Sequence, residues 1–192
     1  YNTNQVAPES SGDFTLSTTT NGHFSGVLRL GGERHSLVGW FDTNGVAQVS
    51  LPAHGPPALR LALQLDLLSG YDHLSGTVSN EQWSASLGGD PALVAGPRHV
   101  APQAGRYTLL IPGNPDNPDE PAGDGYGTVL VTRSGDIRLV GRLADGKRFS
   151  QTAALTAYGQ WPLYTPLNGQ RGLLLGWLTF TNDALNALDL EG

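Results

Sequence analysis

The sequence predicts an all-β fold in which antiparallel meander strands form two related, tandemly duplicated barrel- or sandwich-like halves. Three observations predict it: glycine-bearing turn pairs recur between alternating segments, helical periodicity is almost absent, and one half of the chain can be laid over the other.

The turn pairs are Asn21-Gly22, Gly31-Gly32, Asn44-Gly45, Ser134-Gly135, Asp145-Gly146 and Asn168-Gly169. Such pairs tolerate the positive φ that two-residue hairpins require, so each is expected to turn one strand back on the next. Between them the pattern alternates. In "LRLALQLDL", Leu59, Leu61, Leu63, Leu65 and Leu67 fall on one face and Arg60, Gln64 and Asp66 on the other, which makes the leucine side the core side. Only the tail "NDALNALDLEG" resembles a helix, with Asn182 or Asp183 as cap and Leu185 and Leu188 on one face; a linker is the alternative.

The repeat emerges when Phe24 is placed over Tyr126, an offset of 102. "FSGVLRLGGERHSLVGWF" then lies over "YGTVLVTRSGDIRLVGRL" without a gap, matching Val27 to Val129, Leu28 to Leu130 and Leu37-Val38-Gly39 to Leu139-Val140-Gly141. "GDFTL" lies over "GRYTL" at an offset of 93, and the difference of nine residues falls in the loop around "PGNPDNPDE". An offset of 100 brings Leu63 over Leu163 and "LSGTV" over "LLGWL". The expected organisation is an N-terminal extension (1–11), a first β half (12–88), a Pro/Gly-rich connector (89–104), a second β half (105–181) and the tail (182–192), with about six strands per half.

Composition sets limits on function. A net charge of −6, with only 11 Lys and Arg that look scattered along the chain, disfavours a nucleic-acid partner. No apolar run approaches the roughly 18–20 residues of a membrane span. The absence of Cys rules out disulfide and thiolate chemistry, and a chain opening at Tyr1 without a signal segment reads as a processed or excised piece of an exported protein.

Pleat arithmetic singles out a few aromatic and apolar residues. With Leu37, Gly39 and Phe41 turned inward, Trp40 points outward; with Leu174, Gly176 and Leu178 inward, Leu173, Leu175 and Trp177 point outward. The same logic buries Trp161, Leu163 and Leu167 and turns Pro162 and Pro166 outward, where their missing donors suit an edge strand. Outward apolar side chains need cover. Trp40, Trp177, Leu175 and Tyr164 are therefore the candidate binding residues, with cover from the other half, a neighbouring domain or another protein chain. The alternative is glycan stacked on Trp40, Trp177, Tyr164 or Tyr158.

Catalytic signals are sparse. His23, His35, His54, His73 and His99 lack metal-ligand spacing, and no nucleophile elbow, P-loop or dinucleotide fingerprint occurs. No catalytic residue, cofactor or metal is assigned, and the protein is expected not to be an enzyme. The acidic loop with Asp116, Asp119, Glu120 and Asp124 could offer oxygen ligands, but its spacing does not match a twelve-residue calcium loop, and Pro112, Pro115, Pro118 and Pro121 suggest a stiff solvated excursion.

The run from Gly125 to Phe180, with its G-Y-G-T-V start, L-A-D-G turn, Q-W-P-L-Y segment and G-W-L-x-F close, resembles a repeated β module of large secreted or surface multidomain proteins of bacteria. The first half lacks Q-W-P-L-Y and joins the likeness only through the internal repeat. The resemblance implies modularity and an extracellular or cell-surface location, and it brings no catalytic residues. The expected role is a non-catalytic structural or adhesive module acting through protein contacts, with carbohydrate binding as the alternative.

Overall fold

A computed structural model of the chain describes residues 6–51, 58–96, 100–117, 121–182 and 188–191. Within these residues the fold is all-β and every strand pairing is antiparallel; one 3-10 turn, Pro8–Ser10, is the sole helical element. The sheets are antiparallel and none closes into a barrel, which corrects the barrel form of the expectation. The chain divides into two compact units, Tyr1–Pro91 with Pro166–Leu173, and Ala92–Thr165 with Leu174–Gly192.

The first unit contains two sheets. One has the order β1 (Gly12–Thr18), β2 (His23–Leu30), β3 (Glu33–Trp40); the other has the order β4 (Val46–Leu51), β5 (Leu59–Leu65), β6 (Leu74–Ser79), β7 (Ser84–Gly89). Their inner faces share one core, built from Phe24, Leu28, Leu30 and Leu37 on the first sheet and Ala47, Leu51, Leu59, Leu61, Leu63, Leu74, Val78, Ala85 and Leu87 on the second. Gly31 and Gly32, at φ 55° and 79°, form the two-residue turn between Leu30 and Glu33, because a hairpin of this length needs positive φ at both centres. The Asn44-Gly45 turn departs from expectation. It joins β3 to β4, which lie in different sheets, and the Gly45 carbonyl accepts from the Leu65 N–H at 2.8 Å instead of closing a hairpin. Leu67 also departs from expectation and is exposed, since β5 ends at Leu65 and Asp66 turns the chain by accepting from the backbone N–H groups of Leu68 and Ser69. The N-terminal segment is more than an extension: Ser10 and Ser11 are buried, and the Ser11 carbonyl accepts from Gly31 N–H.

The remaining two sheets are ordered β8 (Gly105–Ile111), β9 (Gly125–Val131), β10 (Asp136–Arg142), β11 (Arg148–Ala154), and β12 (Gln160–Leu167), β13 (Gly172–Asn182), β14 (Leu188–Glu191); they make up the second unit except for the end of β12 and the start of β13, which belong to the first. Trp161 is fully buried, as expected, and its indole Nε1–H donates to Gln151 Oε1 at 3.2 Å while Gln151 Nε2 donates to the Pro162 carbonyl at 3.0 Å. This exchange ties β11 to β12. Tyr107 and Phe180, with ring centroids 5.0 Å apart, join β8 to β13 in the same way across the core. The proline-bearing β12 is an edge strand, as its two missing donors require. Of the tail expected as a short helix or linker, Asn182 ends β13 and Leu188–Glu191 pairs with that strand, while residues 183–187, with Asp183 and Leu185, lie outside the described residues.

The repeat matches fall on strands in chain order; on β3/β10 and β4/β11 the residues alternate in phase, on β5/β12 they do so as far as Leu63 and Leu163, and on β6/β13 Val78 and Leu178 are both buried while residues 172–176 of β13 do not alternate. On β2/β9 the matched residues are out of phase. Phe24 is fully buried whereas Tyr126 is exposed, and Leu28 is buried whereas Leu130 faces outward, because Phe24 pairs with Gly39 but Tyr126 pairs with Arg142. A change of register by one residue moves a whole strand's side chains to the opposite face, so the gapless offset of 102 fails on this strand.

Trp161→Ala is expected to cost about 3–5 kcal/mol of unfolding free energy, since it removes a fully buried indole and takes from Gln151 Oε1 its indole donor. Denaturant unfolding of the variant measures it, and a loss below about 1 kcal/mol would contradict the core assignment.

Candidate functional site

The outer face of β1–β3 carries the first candidate residue. Cross-strand pairing stacks it in rows: Asp13, Arg29 and Arg34; Thr15, Val27 and Ser36; Ser17, Ser25 and Val38; and finally His23 with Trp40. Trp40 is 66% exposed, as the pleat of β3 predicts. The imidazole of His23 lies against it, with centroids 5.0 Å apart and the ring planes at 66°. The indole therefore has a ring neighbour on its own row and an open surface.

At the opposite end of this face Arg29 Nη1 donates to Asp13 Oδ2 at 2.8 Å. Burial pushes the Asp13 carboxyl above its usual value of 3.8, and the attraction and hydrogen bond of Arg29 offset that only in part.

The other sequence candidates diverge. Trp177 is outward but only 39% exposed, and Leu175 is half-buried. Tyr164 is 7% exposed, between buried Leu163 and Thr165 on β12, so its ring cannot serve as a stacking platform. Tyr158 remains open to solvent in the turn before β12. Trp40 belongs to the first compact unit, and Trp177, Leu175 and Tyr164 to the second.

The acidic loop between β8 and β9 is closed at its neck, where Asn114 N–H donates to the Pro121 carbonyl and Gly113 N–H to Asp124 Oδ1, each at 2.8 Å. Asp124 is thereby spent on the backbone; Asp119 and Glu120 lie outside the described residues. Among the described residues no three His, Asp or Glu side chains are grouped as metal ligands would be. His73 pairs with Asp90 at 2.7 Å and His35 is buried 3.7 Å from Glu33, while His54 and His99 lie outside the described residues. A shallow depression of about 580 Å³ beside the β9–β10 turn is lined, among the described residues, by Ala95, Gly96, Val100, Thr132, Arg133 and Ser134, a set with a cation and two hydroxyls.

Folding also corrects the impression of scattered basic residues. Arg106, Arg138, Arg142 and Arg148 all project from the outer face of β8–β11. A signal for this was present in "DIRLVGR", where two arginines four residues apart must share a strand face.

Compared with known proteins, the chain matches no family model, and no curated protein or solved structure matches it.

The raised carboxyl of Asp13 has a pH consequence. A folded-state value above the unfolded one means that protonation favours folding, so the contribution is complete below about pH 3.8 and is lost as pH rises through the folded value. Asp13→Asn should therefore gain on the parent between pH 3 and pH 7 in urea unfolding. A variant more than about 1 kcal/mol less stable than the parent at pH 7 would mean that the Arg29 pair outweighs the desolvation.

Proposed function

We propose that this protein is a non-catalytic structural or adhesive β module of an extracellular bacterial protein, built from two related halves and acting through contacts with neighbouring domains or other protein chains. The observation that carries the contact role is Trp40: an indole two-thirds open to solvent on a flat sheet face, buttressed by His23. Burying such a ring stabilises an association by roughly 25 cal/mol per Å² of apolar surface, and tryptophan at a fixed position recurs among the residues that dominate binding energy. The related halves are supported by seven strands on each side of the connector and by the strand pairs β3/β10 and β4/β11, which keep phase. The secreted, modular setting rests on the motif resemblance between Gly125 and Phe180.

A second reading has one observation in its favour. The row next to Trp40 on the same face carries the exposed hydroxyls of Ser25 and Ser17, polar partners of the kind that a sugar ring stacked on an indole requires.

Replacing Trp40 by alanine should change the unfolding free energy by no more than about 0.5 kcal/mol, because little of the ring is buried. A photo-crosslinking phenylalanine analogue at position 40 should capture a polypeptide when the protein is displayed on a bacterial surface, and the same analogue at inward position 37 should not. Capture of nothing, together with binding of a neutral glycan that Trp40→Ala abolishes, would favour the carbohydrate reading over the protein one.

A further inference from the structure

We infer that the outer face of β8–β11 is a binding surface for an acidic polysaccharide. The pairing of the four strands arranges this face in three rows: Leu110, Tyr126, Arg142 and Arg148; Thr108, Thr128, Val140 and Ser150; Arg106, Leu130, Arg138 and Thr152. All but Leu130 are exposed. Six of the chain's 11 basic residues, the four arginines with Arg133 and Lys147, lie on this one sheet and its turns, in a protein whose net charge is −6.

The arginines are not arranged for stability. Arg142 and Arg148 are direct cross-strand partners, and like charges placed opposite each other destabilise a sheet. On β1–β3 the comparable pair, Arg29 and Arg34, is relieved by Asp13 at 2.8 Å. Among the described residues Arg142 and Arg148 have no ion pair; the acid in their own turn, Asp145, is taken by Lys147 at 2.9 Å, and Asp124 accepts from Gly113. The one carboxylate on the face, Asp136, stands at its far end and accepts from Ser134 Oγ at 2.6 Å. An uncompensated pair of guanidinium groups on an acidic protein is a site awaiting an external anion.

The spacing excludes a single small anion as the full ligand. Arg138 and Arg142 are four residues apart on β10, about 13 Å, and Arg106 is separated from Arg138 by β9, about 10 Å. A ligand that engages all four must be extended and must carry repeated acids. The groups between the arginines select its chemistry: Thr108, Thr128, Ser150 and Thr152 offer hydroxyls to other hydroxyls, and Tyr126, 58% exposed beside Arg142, offers a ring face to a sugar ring. A chain of uronate or sulfated sugars has acids, hydroxyls and flat apolar faces in alternation. A nucleic-acid duplex would instead bring a dense line of phosphates against a protein that is acidic as a whole.

This surface lies on the second compact unit and shares no residue with the Trp40 face, so the two proposals fail independently. The test is affinity electrophoresis of the intact protein through gels containing polygalacturonate, hyaluronate or heparin, with neutral dextran as control. At least one acidic polysaccharide should retard the protein, with retardation falling steeply as salt is raised. Arg142→Gln with Arg148→Gln should weaken binding tenfold or more, the corresponding Lys pair should recover part of it, and Trp40→Ala and Arg60→Gln should leave it unchanged. No retardation by any of the three overturns the proposal. So does an equal loss in Arg60→Gln, which would reduce the effect to overall charge, and so does tighter binding to poly-L-glutamate or duplex DNA of matched charge.

Discussion

Successive side chains of a β-strand face opposite ways, and in this protein one face of every sheet described is committed to a core. That constraint decides the fate of nearly every residue considered above. Leu37 and Leu139 are buried, so Val38, Trp40, Val140 and Arg142 cannot be. Core packing in turn fixes the phase: Phe24 lies over Gly39, where an added Cβ would meet its ring at 2.6 Å, and Phe149 covers Gly141 in the same manner. With an aromatic seated on a glycine at these pairs, slippage by one residue would expel the ring from the core and drive the outward tryptophan or arginine into it. The functional candidates are the counterpart of that packing, side chains left outside because their neighbours are inside.

Much of this was legible in the sequence, for a physical reason. Alternation is written directly in "LRLALQL" and "LVGWF", and the glycines of all six turn pairs adopt positive φ, which glycine does at no steric cost. The edge position of β12 followed from two prolines. What could not be read was anything set by pairing between strands. The slip of β9 relative to β2 depends on the turn after Val131, where Thr132 and Asp136 close a longer loop than Gly31-Gly32 does; the composition of β9 itself carries no trace of it. That slip is what turns Tyr126 outward beside Arg142. Leu67 was misplaced for a simpler reason, since the Asx turn at Asp66 ends the strand before the alternation does. Tyr164 was misjudged because β12 is buried on both sides at Leu163, Tyr164 and Thr165, which alternation by itself cannot express.

The two outer faces differ in how they treat charge. On β1–β3 the arginines are answered within the protein by Asp13, and the feature left open is an indole. On β8–β11 the four arginines are left open and the aromatic beside them is a tyrosine. A module that uses one face for protein contact and the other for an acidic polymer could hold a protein assembly to a surface coat, a role consistent with an extracellular setting and requiring no chemistry from the module itself.

Because the chain has no cysteine, the commitment of each face can be measured without background. Single cysteines at positions 37, 38, 139 and 140 should divide into two classes under a thiol reagent at low denaturant. Cysteines replacing Val38 and Val140 should react at the rate of a free thiol in the native protein, and those replacing Leu37 and Leu139 only at the rate of unfolding. Rapid native-state labelling at 37 or 139, or protection at 38 or 140 in the isolated monomer, would contradict the phase from which both binding faces are derived.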